Sequence, residues 1–98
     1  MRVLEAERVL AFRDINPQAP VHVLVIPKAH YPDLVGLAAA PDGLLAEVAA
    51  MAHQVAVADG IAGDGYRVVF NTGASAGQTV AHAHAHLLGG RPMTWPPG

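Results

Sequence analysis

The sequence predicts a single α+β domain with an antiparallel sheet of about five strands and one main helix, and three observations support this fold class. Two runs rich in β-branched residues, 21–26 and 66–71, are typical of strands. Between these runs, apolar residues recur at helical spacing. The connections are short and no internal repeat is present, which favours a helix packed on a hairpin-rich sheet.

The strands follow in chain order. Residues 9–12 form a short apolar run, which the loop 16–20, with its two prolines, separates from the strand 21–26. The strand 21–26 is apolar on both faces except at His22, so we expect it to be largely buried. The strand 66–71 follows a turn at Asp64-Gly65, and a small, flexible segment then leads to a strand of alternate histidines.

The helix is predicted from spacing and from its end signals. Asp42 is the expected N-cap, and Gly60 lies where the helix is expected to stop. The apolar stripe that should face the sheet comprises Leu44, Val48, Met51 and Val55.

Composition restricts the function. The chain has 98 residues, of which 52% are hydrophobic and 14% charged, and its formal net charge is −2. The six basic residues are scattered, which argues against nucleic-acid binding. No apolar stretch reaches the ~18 residues of a membrane helix. No cysteine is present, which excludes disulfides and thiolate zinc sites. With no signal-peptide pattern at the N-terminus, we expect a cytoplasmic protein.

Three histidines occupy alternate positions, at His82, His84 and His86. On a strand they share one face, while the intervening alanines, at 81, 83 and 85, turn toward the helix. Two imidazolium charges about 7 Å apart repel by roughly 2.5 kcal/mol at an effective dielectric near 20. We therefore expect the middle ring to be a neutral nitrogen nucleophile.

Two other interpretations of the histidines stay open. A purely structural or surface role is one, although strict alternation of three rings argues against it. Zinc is the other, since imidazole is a common zinc ligand. The outer two rings lie too far apart along a straight strand for one ion, so a zinc site would need a further group such as His22 or His30.

The segment before the triad is rich in hydrogen-bond donors. Amide, hydroxyl and backbone N–H groups suit an anion, and beside a nucleophile they would stabilise charge on a phosphoryl centre. The donors are Asn71, Gly73, Gly77, Gln78 and Thr79.

The triad and its flanks resemble a known family. His82-Ala-His84-Ala-His86-Leu-Leu is similar to the alternating-histidine signature of the histidine triad (HIT) superfamily. The segments 11–20 and 21–28, the Gly77-Gln78-Thr79 loop, and the Gly89-Gly90-Arg91-Pro92-Met93 and Trp95-Pro96-Pro97-Gly98 tail resemble its Hint branch, the nucleoside phosphoramidases.

This resemblance implies a HIT-like fold in which the sheets of two protomers join across a homodimer. The implied substrate is a purine nucleotide, an adenosine 5′-phosphoramidate, hydrolysed to AMP and an amine without a metal or other cofactor. The implied catalytic residues are His84 as nucleophile, His86 as proton donor, and His82 and His22 as orienting and relay groups.

The resemblance also implies a nucleotide-binding set. Asp14 would accept from the ribose hydroxyls and Ile15 would line the base slot. Asn71, Gly77, Gln78 and Thr79 would hold the phosphate. A turn-capping role for Asp14 is the alternative that its sequence context also allows.

The sequence departs from the family pattern at its N-terminus. We expect residues 1–98 to form a single HIT domain without the usual N-terminal helical segment, which leaves base preference open. A nucleotide-binding module with weak or no catalysis is therefore the second hypothesis. The sequence does not distinguish phosphoramidase activity from hydrolysis of an adenylyl-sulfate or acyl-adenylate.

Overall fold

The structure is a computed structural model that describes residues 1–98, and it confirms the predicted α+β class. Five antiparallel strands form one sheet in the order β1-β2-β3-β5-β4, with one main helix across it. The elements are β1 (Arg2–Glu5), β2 (Val9–Arg13), β3 (Val21–Pro27), α1 (Leu34–Ala38), α2 (Leu44–Ala58), β4 (Tyr66–Val69) and β5 (Ala85–Gly89).

The two faces of the sheet have different roles, because side chains alternate along each strand. One face packs on α2 and forms the core, in which Val23, Val25 and Ala85 have no exposed surface. The apolar stripe predicted for α2 is buried against this face, as the pattern of Leu44, Val48, Met51 and Val55 predicts. The opposite face carries His22 and His86 on neighbouring strands, and it is the face available to a ligand.

The start of α2 differs from the prediction, whereas its end agrees with it. Asp42 is not the N-cap: the helix begins after Gly43, whose φ of 69° is left-handed and which has no side chain to cap with. Asp42 itself has a φ of 62°, so the turn before the helix is formed by two left-handed residues. The C-cap is Asp59, and Gly60 follows it with a φ of 76°, as expected of a glycine that terminates a helix.

The histidine strand is shorter than predicted. Regular pairing with β3 begins at Ala85, so His82 and His84 lie before β5, with His82 in a bend. The alternation persists nevertheless: Ala83 and Ala85 are buried, whereas Ala81 is exposed and does not join the reverse face. His82 and His84 line one cavity, and the rings of His84 and His86 lie 5.0 Å apart, so the three rings remain on one side.

Two elements were not predicted. β1 pairs with β2, and its polar residues gave no strand pattern. α1 is a five-residue helix whose N-cap, Asp33, accepts from the Gly36 N–H. The strand predicted at 66–71 ends at Val69. None of the helices has the length and apolar character needed to span a membrane.

Candidate active site

The first half of the site, which we name the nucleophile arm, comprises His30, His82 and His84. Nδ1 of His84 lies 2.7 Å from the carbonyl oxygen of His82. A carbonyl only accepts, so Nδ1 of His84 carries the proton and Nε2 keeps a free lone pair. The tautomer of neutral His84 is therefore set by a local backbone contact two residues away.

The ring of His82 is fixed by the same logic. Its Nε2 lies 2.8 Å from the carbonyl oxygen of Pro27 and donates to it. Nδ1 of neutral His82 is then an acceptor, and Nδ1 of His30, at 3.1 Å, donates to it. Sequence reasoning assigned His30 to a surface loop. It is exposed, but it also contacts the triad.

The second half, which we name the donor arm, comprises the Gln18 backbone, His22 and His86. The Gln18 N–H donates to Nδ1 of His22 across 3.0 Å, so neutral His22 holds its proton on Nε2. That Nε2 donates to Nδ1 of His86 across 2.9 Å. His86 is therefore left with its own proton on Nε2. Its tautomer is the reverse of that of His84.

The histidine with two ring neighbours is not the middle one of the triad. The ring flanked by two others is His86, with centroids 5.0 Å from His84 and 5.2 Å from His22. Burial lowers the pKa of His86 below its ordinary value of 6.5, and His84 and His22 lower it further, while Asp14 opposes them. The ring is thus held neutral near pH 7.

Asp14 fulfils the turn role and also lies in the site. Its Oδ1 accepts from the Asn16 N–H at 2.8 Å, which closes the turn that begins the loop after β2. Its Oδ2 is 3.4 Å from Nε2 of His22. The carboxylate therefore borders the donor arm, with Oδ2 free of the turn. Ile15 follows it and is 99% exposed, so no protein surface covers this side chain.

The loop before the triad is internally braced. Gln78 donates its N–H to Gly73 O at 3.1 Å, accepts the Gly73 N–H on Oε1 at 2.9 Å and donates Nε2 to Pro32 O at 2.8 Å. The Gly77 N–H is engaged with Ala74 O at 3.0 Å. Among the predicted phosphate donors, the Asn71 side-chain amide and the Thr79 N–H and hydroxyl have no hydrogen-bond partner within the protein.

An apolar cavity of ≈ 340 Å³ adjoins the nucleophile arm. Its lining comprises Phe12, Leu24, Ile26, Val80, His82 and His84. The sequence analysis did not predict the four apolar lining residues. Two of them were predictable, because Leu24 and Ile26 lie two and four residues after His22 on β3 and therefore share its face.

A metal does not fit the densest cluster of ligand atoms. Asp14, His22 and His86 offer atoms that all lie within 4.8 Å of one another. The Gln18 N–H occupies Nδ1 of His22, which leaves the proton on Nε2, the atom that a metal would require. The lone pair of His86 Nδ1 accepts that proton. The hydrogen bonds thus occupy the nitrogen atoms that the cluster would offer to a metal.

Comparison with known proteins identifies the arrangement. The pattern of the HIT domain family matches residues 1–93. The chain belongs to the HIT family. A crystal structure of a HIT family hydrolase from Legionella pneumophila superposes with a TM-score of 0.93 at 49% identity, covering 99% of this chain and 87% of that one.

Curated HIT relatives are also similar over most of their length. A purine nucleoside phosphoramidase of Escherichia coli is 45% identical over 91 residues, which are 93% of this chain and 76% of the relative. A 14 kDa zinc-binding protein of Zea mays is 54% identical over 99 residues, covering 98% of this chain and 76% of that protein. The chain is thus a Hint-like HIT protein and a nucleotide hydrolase of this family.

Proposed function

We propose that this HIT protein cleaves the P–N bond of purine nucleoside 5′-phosphoramidates, adenosine derivatives above all, through a nucleotidyl-histidine intermediate. The observation that carries the proposal is the His84 Nδ1–H donated to His82 O, which leaves Nε2 as a free nucleophile beside the cavity. The similarity to the E. coli purine nucleoside phosphoramidase supports the substrate class.

The reaction has two steps. Nε2 of His84 attacks the α-phosphorus, the P–N bond breaks, and the departing nitrogen takes a proton from the protonated form of His86, which leaves that ring neutral. Water then attacks the nucleotidyl-His84, gives a proton to neutral His86 and releases the nucleoside monophosphate. His22 supports both transfers, because the hydrogen bond between its Nε2 and Nδ1 of His86 orients the His86 ring.

The nucleotide would lie across the site face. We assign the base to the cavity next to Phe12 and Leu24, with Ile15 closing its open side. Oδ2 of Asp14 would accept the ribose hydroxyls. Asn71 and Thr79 would contact the phosphate directly, whereas Gly77 and Gln78 would shape the loop that presents it, since their donors are already used.

We also propose a homodimer formed across β4. This strand is at the edge of the sheet, and its outer side has no partner within the protomer. Val68 on β4 is 39% exposed and Val57 on α2 is 58% exposed, so an apolar surface accompanies the open edge. Light scattering after size-exclusion chromatography should give twice the protomer mass. A Val68→Lys variant should give the protomer mass.

The test of the function is turnover of an adenosine 5′-phosphoramidate followed by phosphorus NMR. The His84→Ala variant should lose more than about a thousandfold in kcat, because no other group can form the intermediate. The matched control is His53→Ala, an exposed histidine on α2 that bonds only Tyr66. Wild-type turnover by His84→Ala would refute the assigned nucleophile.

The same assay separates the alternatives. Tight AMP binding without turnover would favour the nucleotide-binding module. Faster hydrolysis of an adenylyl-sulfate or acyl-adenylate than of the phosphoramidate would show that the preferred substrate is that compound. Activity lost in a chelator and restored by zinc would establish a metal enzyme, and the hydrogen bonds of His22 predict the opposite.

A further inference from the structure

We propose that Arg91 is a positioning residue for the donor arm: by holding the Gln18 peptide from outside the loop, it fixes the proton of His22 on Nε2. The kinetic part of this inference rests on the proposed function, whereas the position of the proton can be measured without a substrate. Arg91 lies in the Gly-Gly-Arg segment that directly follows β5.

Gln18 contacts both His22 and Arg91 through its backbone. Its N–H donates to Nδ1 of His22 across 3.0 Å. Its carbonyl oxygen accepts from Nη2 of Arg91, also across 3.0 Å. The N–H and the carbonyl belong to the peptide groups on either side of the Cα of Gln18. The bond to Arg91 therefore restrains the orientation of the N–H that faces His22.

Within the loop, Gln18 has only local support. Its side-chain Nε2 donates to Asn16 O at 3.0 Å, a contact between neighbours that moves with the loop. The anchor from another part of the chain to Gln18 is Arg91, 73 residues away in sequence. Arg91 therefore adds a long-range restraint to the loop at Gln18.

The preceding glycine, Gly90, allows Arg91 to reach the loop. A Cβ on Gly90 would lie 2.9 Å from Cβ of Pro20, and the φ of Gly90, 89°, is left-handed. The close approach of Gly90 to the loop 16–20 therefore requires a residue without a side chain, and it places the following arginine within hydrogen-bond reach of Gln18.

Arg91 has no competing partner. Its other hydrogen bond, from Nη1 to Pro92 O at 3.1 Å, is to the next residue, and it forms no ion pair. A guanidinium with several donors and no ion-pair partner is suited to hold a carbonyl. The contact to Gln18 is the one that connects Arg91 to the rest of the fold.

Removal of the Arg91 hydrogen bond changes the chemistry of His22 more than its packing. Without the Gln18 N–H at Nδ1, the proton of His22 can reside on either nitrogen. The fraction with the proton on Nδ1 no longer donates to His86, and the donor arm is interrupted. Substrate binding at the cavity and at the nucleophile arm is untouched, so kcat should fall with little change in KM.

The experiment compares Arg91→Ala, Arg91→Lys and Arg8→Ala. Arg8 is the control, since Nη2 of this arginine also donates to a loop carbonyl, that of Asp42 at 2.8 Å, on the side of α2, although Arg8 pairs with Glu47 as well. Nitrogen-15 NMR of the imidazoles reports the tautomer of His22. Wild type and Arg8→Ala should show the Nε2–H form alone. Arg91→Ala should show a mixture, and Arg91→Lys should restore the single form because lysine also donates.

The kinetic expectation is a kcat about fivefold lower in Arg91→Ala, the effect of one ordinary hydrogen bond, with recovery in Arg91→Lys. A single Nε2–H tautomer in Arg91→Ala would overturn the inference, as would an equal loss of kcat in Arg8→Ala. If no variant turns over any substrate, the proposed function fails while the tautomer still decides the role of Arg91.

Discussion

The two arms of the histidine cluster reach opposite tautomers by opposite means. In the nucleophile arm, backbone carbonyls accept from the rings, so His84 carries its proton on Nδ1. In the donor arm a backbone N–H donates to a ring, so His22 and then His86 carry theirs on Nε2. Within one motif of identical residues, His84 thus has a free lone pair on Nε2, whereas His86 has a free N–H on the same atom.

The arms also differ in how they are supported. The bond that fixes His84 is local, and the outer member, His30, is exposed. The donor arm instead depends on a separate loop, and His22 is only 5% exposed. We therefore expect the nucleophile arm to tolerate changes at its outer end, whereas the donor arm should be sensitive to each of its members.

Among the changes that test this contrast between the arms, the largest effect should come from His22→Ala. It removes the donor to His86 and leaves His86 Nδ1 without its partner, so kcat should fall about a hundredfold, within the range of acid–base groups. Steady-state kinetics with an adenosine phosphoramidate measures it, and thermal melting checks that the variant folds. A kcat within twofold of wild type would contradict the expectation that the donor arm is the more sensitive of the two.

A smaller effect is expected on stability as the pH falls. The pKa of His86 is lowered in the folded protein, so between that value and 6.5 the unfolded chain binds more protons. The free energy of unfolding should therefore be highest above pH 6.5 and decrease as the pH drops through this window.

Urea titrations at a series of pH values measure this dependence. A His86→Gln variant should flatten it, because glutamine does not titrate there. An equally steep fall in that variant would assign the effect to other groups.

The smallest effect should come from His30→Ala. The ring of His82 keeps its bond to Pro27 O at 2.8 Å, and the hydrogen bond between His30 and His82 that the variant lacks is exposed to solvent. We expect kcat to fall about twofold, the lower end of a hydrogen-bond contribution. The same assay measures it, beside His22→Ala. A decrease as large as that of His22→Ala would show that the nucleophile arm also depends on its outer member.

Local patterns in the sequence predicted much of the fold. The two strand-like runs, 21–26 and 66–71, predicted β3 and β4, and the apolar stripe from Leu44 to Val55 predicted α2. The start of α2 and the start of β5 were not predictable in detail, because left-handed residues at 42 and 43 and the length of the β3–β5 ladder depend on packing. β1 was missed because its four residues are too few to show a pattern, and its pairing with β2 makes it a strand.

The alternation of three histidines by itself determined that the rings share a side, since extended backbone has a period of two. The resemblance carried by the surrounding residues indicated the family. Only the tertiary structure decided which nitrogen of each ring holds the proton, because that depends on carbonyl and N–H groups from β3, from the loop at Gln18 and from the segment at Arg91. These groups are distant in sequence, and no spacing of residue types records where they meet.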